Sequence, residues 1–147
     1  MKQKIEPLTA AEKDWIRDQL AAASHFVAAF SPDDADKPLT LGSLDRAFAQ
    51  WLATDETDSN RINAAINVVG VAFGQSLVQG LGLGWVIASD AQGTELAVHG
   101  LPGRGDVLVF PQNFVAKRWE ERAAHFLGPS YAQIASHIES IRRETDA

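Results

Sequence analysis

Apolar residues near the start of the chain recur with the spacing of a helix. Ile16, Leu20, Ala23, Val27 and Phe30 lie three or four positions apart and make one continuous stripe. Just ahead, Thr9 and Glu12 have the spacing of a capping box, in which each side chain covers a backbone N–H of the other. The segment SPDDADKP (31–38) breaks the pattern with two prolines. Leu41, Leu44, Phe48 and Trp51 then predict a second, shorter helix begun by Thr40 or Ser43, and DETDSN (55–60) is the next polar break.

From Arg61 to Gln79 the apolar pattern widens. Ile62, Ile66, Val69, Phe73 and Leu77 share one face, while Val68, Val71, Ala72 and Val78 occupy others. A helix apolar on most sides is expected to be central and buried. Gly70 and Gly74 sit one turn apart in it, at a cost of roughly 1 kcal/mol each in helix propensity. Close packing of another backbone on that face is the expected reason. Gly80 is expected to end the helix as a left-handed residue, with Gly82 and Gly84 letting the chain turn into a sheet.

Beyond Gly84 the period falls to two, predicting strands over 85–89, 94–99 and 106–110. Asp90 and Gly93 bracket the first connection with the residues of a type I turn. GLPGRG (100–105) makes the second connection, and Pro111 ends the third strand. A short helix from Asn113 follows, then a break at Gly128-Pro129. Tyr131, Ile134, Ile138 and Ile141 line a last helix, with Arg142 and Arg143 near its C-terminus, where cations suit its dipole. The order of elements predicts one α+β domain over 1–147, with helices packed on one face of a three-stranded antiparallel meander.

Composition narrows the functional classes. The 147 residues, 46% hydrophobic and 22% charged, suit an ordinary globular domain. A formal charge of −6 gives no global field for nucleic acid, and no cysteine is present for disulfide or thiolate chemistry. The run LAAASHFVAAF (20–30) is too short to span a bilayer, and no apolar core follows the N-terminal lysines. These features predict a soluble, cytoplasmic protein without membrane or nucleic-acid partners.

GLGLGWV (80–86) looks at first like a phosphate-binding loop. Counted from Gly80, however, the third glycine of a dinucleotide fingerprint falls at Trp85, and the stretch follows a helix instead of opening one. The nearest approach to a nucleophile elbow, around Ser76, lacks its last glycine. His25, His99, His125 and His137 show no metal-ligand spacing. Asp33, Asp34 and Asp36 miss the glycine and glutamate of a calcium loop, and a solvated loop is expected there. The sequence therefore predicts no catalytic residue, cofactor or metal.

The residues with chemistry to offer are Trp85, at the mouth of the sheet, Asp90, and the cationic pair Lys117-Arg118 beside Trp119. Trp85, Asp90 and Arg118 are the candidate ligand-binding residues. Phe114 and Arg118, four apart, share a helix face, so Arg118 is expected to be drawn inward and to donate to Asp90 or to carbonyls at the sheet's end.

Gly70-Val-Ala-Phe-Gly74, Leu81-Gly-Leu-Gly-Trp85-Val, Asp90-Ala-Gln-Gly93 and Phe110-Pro111 with Lys117-Arg118 stand in a distinctive order. Over about residues 40–122 the chain resembles the bacterial family known as domain of unknown function 3806. The resemblance implies a compact bacterial domain and brings no catalytic or binding residues. In that family an acidic residue commonly follows the second helix glycine, where this chain has Gln75. The functional expectation is a non-enzymatic module that binds another protein or its own copy as a homodimer. The alternative is a small-ligand site or an enzyme around Trp85, Asp90 and Arg118.

Overall fold

A computed structural model describes residues 3–146, with side chains to residue 144, so the assigned domain extends beyond it by Met1, Lys2 and Ala147. In chain order the elements are β1 (Lys4–Glu6), α1 (Ala10–Phe30), a 3-10 turn (Pro32–Asp34), α2 (Leu41–Leu52) and α3 (Ser59–Leu81), then β2 (Gly84–Asp90), β3 (Gly93–Gly100), β4 (Val107–Val109), α4 (Pro111–Glu120) and α5 (Leu127–Asp146). The architecture is α+β, with five α-helices and one antiparallel sheet of order β1-β2-β3-β4 among the described residues.

The helix starts follow their local chemistry. Thr9 Oγ1 accepts from the Glu12 N–H and the Glu12 carboxylate accepts from the Thr9 N–H, closing the expected box. Thr40 and Ser43 make a second reciprocal box at α2, so both candidate residues take part in its start. Asp58 caps α3 by accepting from the Asn60 N–H at 2.9 Å.

The end of α3 differs from expectation. The left-handed cap is Gly82, with φ of 68°, and the helix runs on through Gly80. Leu81 still packs against the core, and this holds the last residues helical. Gly80 is instead a point of close approach, since a Cβ there would collide with the Tyr131 hydroxyl of α5.

Helix α3 is the centre of the domain. It packs on α1, α4, α2, α5, β3 and β2, and Val69, Phe73 and Leu77 are fully buried. Its length and hydropathy alone would let it cross a bilayer, and half of that apolar window is buried within the domain. Four phenylalanines tie the helices together: Phe73 of α3 stacks on Phe114 of α4, which meets Phe126, which meets Phe48 of α2 edge-on. Centroid separations of 5.4 to 5.7 Å suit favourable aromatic geometry.

The sheet has one strand more than the sequence predicts. Lys4, Ile5 and Glu6 pair with Ser89, Ala88 and Ile87, adding β1 to the edge of β2. The central helix thus precedes three of the four strands. Paired residues across an antiparallel ladder share a face. Trp85, Val98 and Val109 therefore point together toward α3, as the contact of Trp85 with Gly74 requires. Val86 and Ala97, Ile5 and Ala88, and Leu108 opposite His99 point the other way.

Candidate functional site

The three candidate ligand residues lie in different parts of the molecule. Trp85 begins β2 half-buried, its ring against Gly74 and its Nε1 donating to Gln75 Oε1 at 2.8 Å. Asp90 ends the same strand, five residues and roughly 16 Å away at strand rise. Its carboxylate accepts from the Gln92 N–H at 2.8 Å and closes the hairpin, with Gly93 at φ 145° in the place the turn requires.

Arg118 does not reach Asp90. Its guanidinium donates to Glu121 Oε1 at 2.7 Å and lies 4.7 Å from the centroid of the Phe114 ring. The side chain is drawn inward over Phe114, as its position on α4 implies, and stays 33% exposed while Lys117 faces solvent. The expected ion pair fails because Glu121, three residues on, faces it across one helical turn. Asp90 is engaged at the hairpin.

The glycine pair has the role its spacing suggested, with different partners at each position. A Cβ on Gly70 would stand 2.9 Å from the Gln112 Cα, so backbone does approach there. At Gly74 the neighbours are side chains: the Trp85 ring and Pro111 Cγ, the latter at 2.9 Å. Pro111, buried as the first residue of α4, brings that helix against α3.

The acidic loop is solvent-exposed at Asp33 and Asp36, as expected, and differs at Asp34, which forms a clasp. Asp34 is buried and accepts from Ser31 Oγ at 2.6 Å and from Nε and Nη2 of Arg46 at 2.9 and 3.0 Å. These hydrogen bonds hold its pKa down at about 2, the Arg46 fork being the larger cause and Ser31 the next. Asp106, at the other end of the sheet, accepts from the Gly103 N–H and pairs with His99 at 3.1 Å, which lowers its pKa. Among the described residues no three histidine, aspartate or glutamate side chains converge as metal ligands.

Two surfaces were not singled out by the sequence. The first is the outer face of the sheet, where Ile5 is 38% exposed and Val86, Leu108 and Phe110 are half-buried around Ala88 and Ala97. A dimple of about 90 Å³ on it is lined by Ala88, Glu95, Phe110 and hairpin residues.

The second surface is a cleft of about 370 Å³ where α3 and α4 meet the open edge of β3. Strand β4 stops at Val109, opposite Val98, so the first residues of β3 have no strand neighbour on that side. Asn63 and Asn67 of α3, Gln112 and Asn113 of α4 and Glu95 of β3 line it. Gln112 Nε2 donates to Asn67 Oδ1 at 2.7 Å, and Asn113 Nδ2 donates to Glu95 Oε1 at 2.8 Å. A sequence signal existed: Asn63 and Asn67, one turn apart, flank the core residue Ile66 on a helix otherwise mostly apolar.

The fold is therefore an α+β domain with a sheet covered by helices on one face, a partly apolar outer sheet face and an amide-lined cleft. A family profile, Domain of unknown function (DUF3806), matches residues 44–128, and the chain belongs to that family. The match runs from within α2 to the first two residues of α5 and covers both surfaces except for β1 and Gln3 at the outer face. Neither the curated proteins nor the solved structures contain a match to the chain.

Proposed function

We propose that this domain is a non-enzymatic interaction module that associates with a second copy of itself through the outer face of its sheet. The observation carrying the reading is that the sheet face away from α3 carries Ile5, Val86, Ala88, Ala97 and Leu108, with Glu95 and His99 beside them. A second copy is the natural occupant, because a two-fold axis lays the same apolar patch on itself and needs no separately matched partner. Aligned sheets pack about 10 Å apart, with side chains interdigitating between them. Four strands spaced about 4.8 Å apart make a patch roughly 20 Å across, at the small end for stable interfaces. Such a dimer exchanges with monomer in the micromolar range.

Sedimentation equilibrium from low to high micromolar concentration tests the proposal. The wild-type chain is expected to shift from monomer to dimer, and Leu108→Glu, checked for native circular dichroism, to remain monomeric. A wild-type monomer at every concentration, or a dimer unaffected by Leu108→Glu, overturns it.

A further inference from the structure

The cleft between α3, α4 and β3 has a second lobe. Thr94, Glu95, Leu96 and Gln112 line both it and a space of about 380 Å³ under α1, in which Trp15 stands. The two lobes adjoin across these four residues, the first amide-lined and the second bordered by Trp15, Ile87 and Leu96, and are taken together as one groove. Trp15 is 37% exposed, unlike Trp51, which is buried in the core. Its indole borders the apolar lobe.

The hydrogen-bonding groups define the chemistry. Each amide pair uses one half of each side chain internally. Among the described residues, Gln112 Oε1, Asn67 Nδ2, Asn113 Oδ1 and the second oxygen of Glu95 are left without a side-chain partner, as are both polar atoms of Asn63. The cleft thus offers amide donors from Asn63 and Asn67 and oxygen acceptors from Asn63, Gln112, Asn113 and Glu95, and internal pairing holds all of these side chains except Asn63. Among the described residues lining the two lobes none is basic, so an anionic ligand would meet Glu95 with nothing to offset it.

We infer that this groove binds a neutral polyhydroxylated ligand, a saccharide unit. Sugar hydroxyls each donate and accept, which this mixed set of amide donors and oxygen acceptors matches. The apolar C–H face of a sugar ring lies against the Trp15 indole, whose flat surface offers area at little conformational cost. A groove of this volume accommodates one or two sugar rings, within the usual size of ligand sites. Glu95 and Phe110 also border the outer-face dimple, so Trp15 and Asn63, which line the groove and not that dimple, separate this inference from self-association.

Two-dimensional NMR of the ¹⁵N-labelled protein tests it, with maltose, cellobiose and N,N′-diacetylchitobiose as probes at up to tens of millimolar. At least one is expected to shift the Trp15 indole N–H and the side-chain amides of Asn63 and Asn113 saturably. Trp15→Ala and Asn63→Ala, both at exposed positions, are expected to weaken that binding by about tenfold or more. Three probes without saturable shifts, or shifts that persist in Trp15→Ala, overturn the inference. So does a blocked extended peptide that shifts the backbone amides of Thr94–Leu96 when the sugars do not, since the groove would then accept a strand on the edge of β3.

Discussion

The carboxylate of Asp45, on α2, caps α5 by accepting from the backbone N–H groups of Leu127 at 3.0 Å and Gly128 at 3.2 Å. The first N–H groups of a helix have no partner within it, and here they lie where water has little access. Asp45→Ala is expected to destabilise the domain by about 2 kcal/mol, because two donors lose their acceptor. Asp45→Asn keeps one acceptor oxygen and should lose less. Urea unfolding of the two variants checks both the size and the order. Equal, negligible shifts would mean that α5 finds its cap elsewhere.

Gly74 supports a second prediction. Alanine is the better helix former by about 1 kcal/mol, so helix propensity alone would make Gly74→Ala stabilising. Its Cβ would nevertheless collide with the Trp85 ring and crowd Pro111, and overpacking costs about 1–3 kcal/mol. The net expectation is a loss of stability together with a changed Trp85 environment. Thermal unfolding followed by tryptophan fluorescence reads both, and a raised melting temperature would show that propensity prevails.

Arg118 and Lys117 separate packing from charge. Arg118 combines an ion pair one turn long with a guanidinium over the Phe114 ring, and both are partly open to solvent. Such interactions are worth about 1 kcal/mol together after screening. Arg118→Ala should cost about that amount, and Lys117→Ala, which faces solvent, close to nothing. A loss of several kcal/mol in Arg118→Ala would mean the guanidinium has a buried acceptor.

The Asp34 clasp should appear as acid sensitivity. Its pKa falls from 3.8 to about 2 on folding, so its contribution is fully present above pH 4. The sign is that of a depressed acid: as pH falls from about 4 toward 2 the carboxylate protonates, the fork to Arg46 weakens and stability is lost. Asp34→Asn is expected to be less stable at neutral pH and to show a flatter decline across that window. Melting temperatures of both proteins from pH 7 to pH 2 measure the difference, and parallel curves would remove Asp34 as the cause.

What the sequence determined by itself was local. The capping boxes at Thr9 and Thr40, the turn from Asp90 to Gly93 and the apolar period of α3 join residues only a few positions apart. Backbone geometry alone links them, and the structure has them where the pattern puts them. Phe114 and Arg118 are legible in the same way, as residues on one helical face.

Only the tertiary structure decided the rest. Three mostly polar residues carry no strand signal, and β1 exists because the edge of β2 offers backbone partners. Gly80 and Gly82 are equally permissive as helix ends, and continued packing of Leu81 on the core chooses the later one. Asp45 and Leu127 stand 82 positions apart, Asn67 and Gln112 45, and Arg46 reaches Asp34 across a proline-bounded loop. Nothing local requires these pairs. They form because folding excludes water from groups that must then hydrogen-bond to one another, and which groups meet depends on how α3 draws the other elements around it.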